Sequence, residues 1–162
     1  MSVHLAALTY YPIKACRGFE VGAAEVERMG LARDRRMMVV TTVGTFLTQR
    51  EYPRLALVKP TLEEDSVTLS APGFDSLRVP IYTNGTPVPV NIWKSKNVEA
   101  VDQGDEAAMW FSDWLGASVR LVHFADGYVR RVSEKYAVNE DDHTGFADGY
   151  PILIASEESL AD

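Results

Sequence analysis

Two clusters of cations open the question of chemistry in this chain. Lys14 and Arg17 directly follow Tyr11-Pro12, where a proline should end a first strand and turn the backbone into a loop, with Gly18 available for unusual φ. Arg33, Arg35 and Arg36 crowd the start of a continuously apolar run, and Arg50 stands between Thr48 and the turn at Pro53. Arginines fixed at strand ends suit bidentate recognition of phosphate or carboxylate, because the strand holds the planar guanidinium fork. The competing reading is plain: beside Asp34 and Glu51 these arginines form solvated ion pairs worth under about 1 kcal/mol each. The residue types alone weigh toward the second reading. Cys16 has cations on both sides that would lower a thiol pKa, yet a lone cysteine with no histidine near it in sequence reads more simply as a small buried hydrophobe. His4, His123 and His143 are scattered. Asp141-Asp142-His143 carries ligand-type side chains, but three neighbours on one flexible segment rarely converge on an ion. Trp110 and Trp114 form a helical stripe that reads as core, and Glu63-Glu64-Asp65 reads as a charged turn. The sequence contains no Gly-rich nucleotide loop, nucleophile elbow or HExxH motif.

Composition limits the field. The 162 residues are 46% hydrophobic, enough for one sizeable core. With 16 basic against 23 acidic residues the net charge is −7, which argues against general nucleic-acid or anionic-membrane binding while leaving room for a local basic pocket. One cysteine excludes an intrachain disulfide framework, so a reducing compartment, the cytoplasm, is the expectation. No apolar stretch reaches membrane-spanning length, and the amino terminus lacks signal-peptide features.

The elements that must position the cations read as mainly β. Turn residues every eight to twelve positions separate short β-type runs: 4–10, 23–27, 36–41, 45–48, 55–60, 66–70, 77–82, 88–93 and 119–124. Leu77, Val79, Ile81 and Val88, Val90, Ile92 alternate with period two, and Asn84-Gly85 between them suits a hairpin turn, lengthened by the nearby prolines. Met37 to Val40 is continuously apolar, which predicts a strand covered on both faces. One principal helix is expected at about 105–115: Ala107, Trp110, Phe111, Trp114 and Leu115 fall at helical spacing, with acids in the first turn and Gly116 as terminator. Residues 128–146 carry charge without periodicity and read as a long loop. Pro151 to Ala155 reads as a strand, and 156–162 as a capped helix start that stops after about one turn, which suggests a longer helix beyond.

Four motifs in order, Tyr-Pro-Ile-Lys-Ala-Cys-Arg-Gly at 11–18, Gly-Leu-Ala-Arg-Asp-Arg-Arg at 30–36, Thr-Gln-Arg-Glu-Tyr-Pro-Arg-Leu at 48–55 and the stretch 146–162, resemble MOSC proteins that carry an N-terminal β-barrel domain. These include the mitochondrial amidoxime-reducing components, bacterial relatives that detoxify N-hydroxylated bases, and the C-terminal part of molybdenum cofactor sulfurases. The resemblance covers nearly the whole chain. It implies a MOSC N-terminal β-barrel at 1–127, a linker at 128–145 and the beginning of a MOSC domain at 146–162, with the rest of that domain absent. It further implies a molybdenum cofactor held between the two domains, with Lys14 and Arg35 on the cofactor, Ala15 beside it, and Gly149 and Tyr150 at the loop where the MOSC domain begins. With those implications the balance for Lys14 and Arg35 reverses, while Arg50 stays a structural or supporting candidate. Two departures stand out: Ala15 replaces the serine of many relatives, and the family's molybdenum-ligating cysteine belongs to the absent domain, so Cys16 must not be mistaken for it. No residue here is therefore expected to be catalytic or to ligate metal. The expected role is the cofactor-contacting and substrate-recognition part of an oxidoreductase reducing N-hydroxylated compounds, inactive alone, served by a MOSC domain and an electron-transfer partner. The alternatives are a stand-alone module for phosphorylated metabolites and a structural interaction domain. Pyridoxal phosphate finds no distinctive lysine motif and is not expected.

Overall fold

The computed structural model describes residues 4–161. Two short antiparallel pairs come first, β1 (Thr9–Tyr10) with β2 (Phe19–Glu20) and β3 (Val26–Glu27) with β4 (Gly30–Leu31). β5 (Met37–Thr41) precedes a 3-10 turn at Pro53–Leu57 and the meander β6 (Lys59–Leu62), β7 (Ser66–Ala71) and β8 (Phe74–Pro80). The hairpin β9 (Val88–Ile92) and β10 (Ser95–Asp102) leads into helix α1 (Asp105–Leu115) and β11 (Val119–Phe124), and a short helix α2 (Glu157–Ala161) comes last.

The central sheet is antiparallel in the order β5-β11-β10-β9. Segment 44–47 then ties its two outer strands together: Leu47 N–H donates to Val39 O at 3.0 Å, and Asn91 N–H to Gly44 O at 2.7 Å. The sheet curls into a half-barrel as a result.

Side chains alternate across a strand, and β5 shows what that does to an unbroken apolar run. Met37 and Val39 join Val119, Leu121 and Phe111 in one core, whereas Met38 and Val40 join Val90, Ile92, Val98, Ala100, Val122, Phe124 and Phe146 in the other. The run is buried on both faces, as its composition demands. Each of these side chains other than Ala100 contributes roughly 1.5–3 kcal/mol by leaving water.

Helix α1 occupies the expected span and closes at Gly116, whose left-handed φ of 67° lets its N–H reach Ser112 O at 2.8 Å. Its tryptophans are core, with their polar edges satisfied: Trp110 Nε1–H donates to Asp75 O at 2.7 Å and Trp114 Nε1–H to Arg54 O at 3.1 Å.

Several local expectations are corrected. β8 and β9 lie in different sheets, so Asn84-Gly85 does not close a hairpin; Asn84 Nδ2 instead bonds Thr83 and Asp126. The true turn is Trp93-Lys94, between β9 and β10. β10 went unread because a register shift between Ser95 and Val98, with Asn97 at φ 53°, breaks its period of two. Residues 45–48 form only bridges, and 55–57 lie in the 3-10 turn that Pro53 initiates. The first two strands shrink to Thr9–Tyr10 and Val26–Glu27. Residues 151–155 carry no strand pairing, while the capped helix start appears as α2, with Ser159 N–H on Ser156 Oγ at 3.2 Å.

Candidate anion-binding cleft

The loop between β1 and β2 sets the site. Ile13 bridges to Met37, and Lys14 N–H donates to Met37 O at 2.8 Å, so residues 13–16 are pinned to the head of β5. The turn closes with Cys16 N–H on Ile13 O at 3.1 Å and puts Ala15 at φ 66°. On the facing side, Arg35 immediately precedes β5 at φ 47°, its own N–H donating to Tyr11 O at 2.6 Å. Left-handed backbone at non-glycine residues costs of order 1 kcal/mol each and collects where surrounding structure holds a site in shape. Of five such residues among those described, three, Ala15, Arg35 and Trp93, line the same cleft.

The cleft encloses about 350 Å³ and draws together Lys14, Ala15, Arg35, Phe46, Arg50 and Trp93, with Asp148 at its edge. Lys14 Nζ is ion-paired with Asp148, and Trp93 Nε1–H donates to the same Asp148 oxygen at 2.7 Å. Phe46 sits beneath both: its centroid is 5.8 Å from Lys14 Nζ and 4.8 Å from the Trp93 ring. Burial lowers the Lys14 pKa, the bond to Asp148 opposes that, and the charges of Arg35 and Arg130 add to the lowering. Burial raises the Asp148 carboxyl, but the bonds from Lys14 and Trp93 outweigh it and hold the group below its ordinary range. An ammonium this dry favours an anion against it.

Arg35 is braced rather than free. Its Nε donates to Asp34 Oδ2 at 2.6 Å and its Nη2 to Pro151 O at 2.7 Å; Asp34, 5% exposed, also accepts the Tyr11 N–H at 2.7 Å. Neither cation is a freely solvated surface charge: the Lys14 and Arg35 side chains retain 10% and 22% exposure. The lysine ammonium lies over the Phe46 ring, and the guanidinium is clamped between a carboxylate and a carbonyl.

Gly149 and Tyr150 adjoin Asp148 in the chain but do not line the cleft. Tyr150 turns away, its hydroxyl donating to Tyr136 O at 2.9 Å. Arg17 is exposed elsewhere, Arg33 binds the Glu63 and Glu64 carbonyls, and Arg36 pairs with Glu27 at 2.6 Å.

Sequence reasoning missed Phe46, Trp93, Asp148 and Arg130. Arg130 is 7% exposed and, among the described residues, has no carboxylate partner. Its Nη1 donates to the Gly145 and Ala147 carbonyls, both at 2.7 Å, its Nη2 to Asp148 O at 3.1 Å and its Nε to Ser95 Oγ at 3.0 Å. One guanidinium thus fixes the backbone that carries Asp148. Asp148 lies within the 146–162 motif, which offers a signal for it, whereas Arg130, in an aperiodic segment, carries none. That segment is tethered to the barrel: besides Arg130, Val132 and Thr144 are buried, and Phe146 sits in the second core.

Cys16 is 1% exposed, and burial pushes its thiol far up. Native protein is therefore expected to resist a thiol-reactive disulfide reagent and to react fully in denaturant; rapid native labelling would refute the buried assignment. No three His, Cys, Asp or Glu side chains among the described residues are grouped to hold a metal ion, and no described helix is long and apolar enough to cross a membrane.

A second cavity, about 360 Å³, lies across the sheet head and includes Glu27, Arg33, Arg36, His123 and Asp126. Burial holds the His123 imidazole below its ordinary pKa; its Nδ1, 2.7 Å from Phe124 O, and Asp126 oppose this, while Arg36 reinforces it. The unfolded chain, with a histidine pKa near 6.5, takes up the proton first as pH falls. Stability should accordingly be insensitive to this group at pH 7.5 and decline below about pH 6.5. Urea midpoints at pH 7.5, 6.5 and 5.5 should show that slope in the native sequence and a shallower one in His123→Gln.

A model of the MOSC N-terminal beta barrel domain matches residues 2–118, most of the chain and all of the half-barrel but β11. The chain belongs to that family. This MOSC N-terminal domain is 37% identical over 166 residues to mitochondrial amidoxime-reducing component 1 of Mus musculus, covering 98% of the chain and 49% of the mouse protein. It is 35% identical to mitochondrial amidoxime reducing component 2 of Bos taurus, covering 96% and 48%, and 30% identical to the Bos taurus molybdenum cofactor sulfurase, covering 85% and 16%. The chain spans about half the length of the amidoxime-reducing relatives it matches.

Proposed function

We propose that this domain forms one wall of a molybdenum-cofactor site in an oxidoreductase that reduces N-hydroxylated compounds. The observation that carries the reading is the convergence of Lys14 and Ala15 from one motif with Arg35 from another on one cleft where an anion, the Asp148 carboxylate, already sits on the lysine. The donor set fits the group: two fixed cations, a third at Arg50, an indole N–H and an aromatic floor suit a phosphate attached to a flat heterocycle. Lys14 would take a phosphate oxygen, Arg35 would hold a second from its clamped position, and the Ala15 turn would offer backbone in place of a serine hydroxyl. Gly149 and Tyr150 would shape the loop beside Asp148. When bound, the cofactor's metal would supply two-electron redox chemistry. The opposite wall, the metal-ligating thiolate and the docking of an electron donor are assigned to a MOSC domain that begins at 146–162, joined through 128–145 to the barrel at 1–127.

The test is titration of the chain with a stable phosphorylated pterin, followed by tryptophan fluorescence. Saturable binding that weakens with added inorganic phosphate is expected. A folded chain that binds neither would remove the cleft as a cofactor wall.

A further inference from the structure

Asp148 is the unusual member of the cleft. A site whose cations await an anion already holds one, and that anion comes from the protein. The Lys14 side chain is 10% exposed and the Asp148 side chain 65% exposed, so the two ends of this ion pair differ in freedom. Lys14 cannot follow Asp148 into water as freely, because its side chain is sheltered and its ammonium lies over the Phe46 ring. Asp148 can leave by rotating its side chain alone, since Arg130 holds the backbone of 145–148 through three carbonyls and needs no change. The Trp93 N–H that Asp148 now accepts would be left for the incoming group.

Resting on the reading of this cleft as an anion site, we infer that Asp148 is its specificity-determining residue, a resident carboxylate that an incoming anion must displace from Lys14 and Trp93. The displacement sets a threshold of charge. Exchanging one carboxylate for a monoanion leaves the balance at Lys14 unchanged and gains nothing to offset the lost freedom of the ligand. A dianion restores that balance and brings a second negative charge to the same cleft as Arg35 and Arg50. The cleft therefore selects terminal phosphate esters, which carry close to two charges, over phosphodiesters, carboxylates and chloride.

Monomethyl phosphate and dimethyl phosphate at pH 8 differ in little but charge, and the Trp93 indole resonance in a proton–nitrogen correlation spectrum reports directly on the contact with Asp148. The Trp110 and Trp114 indoles, bonded to Asp75 and Arg54 carbonyls, report whether the fold is kept. In the native sequence monomethyl phosphate should shift the Trp93 signal saturably and bind at least about tenfold tighter than dimethyl phosphate. In Asp148→Asn, and equally in Asp148→Ala, dimethyl phosphate should gain at least that factor, collapsing the ratio to about threefold or less. Binding that appears only in the variants also supports displacement. An unchanged ratio, or weaker binding of both esters in the variants, overturns the role of Asp148 while the cleft remains an anion site; silence of both esters in every form overturns both readings.

Discussion

Lys14→Met should lose phosphate-ester binding by at least about thirtyfold, roughly 2 kcal/mol, while the unfolding free energy stays within about 1 kcal/mol of the native value. Methionine keeps an unbranched apolar stem in the same sheltered position and removes a charge whose burial is costly, as the lowered pKa of Lys14 shows. Asp148, mostly exposed, loses a partner and returns to water with little penalty. Isothermal titration and urea denaturation on the same preparation separate the two effects. A loss of 3 kcal/mol or more would mean that the Lys14–Asp148 pair is a structural tie instead. Arg35 offers no such separation, because removing it would strand the buried Asp34 oxygen that its Nε now satisfies.

Arg130→Ala should be the most damaging single change in the loop, costing about 3–4 kcal/mol in urea denaturation. Three carbonyls, of Gly145, Ala147 and Asp148, would lose their donor where water reaches poorly, and Ser95 would lose its partner. Arg130→Lys should recover only part of the loss, since one ammonium cannot span what the planar fork spans. Faster amide exchange confined to 144–148 and to Ser95 would accompany the change. If Arg130→Ala falls within 1 kcal/mol of the native protein, the packing of Phe146 alone holds the loop.

How far the sequence announced all this depends on the range of the interaction involved. β5 was legible because an unbroken apolar run has few other uses, and α1 because five apolar residues, two acids and a terminal glycine agree on one span. β10 was not, since its bulge at 96–97 hides the alternation, and the Asn84-Gly85 signal lost to a tertiary arrangement that sends its flanking strands to different sheets. The cations of the cleft stood out by charge and by motif. What completes the site did not: Trp93 reads as a strand residue until its φ of 49° is known, and Asp148 meets Lys14 across 134 positions of chain. Such contacts are properties of the folded topology, and no local pattern encodes them.

The double burial of β5 has a consequence for how this chain can tolerate length change. Arg35 and Arg36 are consecutive, yet one lines the cleft with Lys14 and the other lines the cavity with His123. The alternation of the strand that follows them fixes which goes where, and both faces of that strand are packed. Insertion or deletion of a single residue between 34 and 38 would exchange the two guanidiniums and rotate every methionine and valine behind them into the wrong core at once. Connections such as 21–25, between β2 and β3, can lengthen or shorten across descendants of this sequence; the six residues from Asp34 to Val39 form a ruler whose count cannot drift.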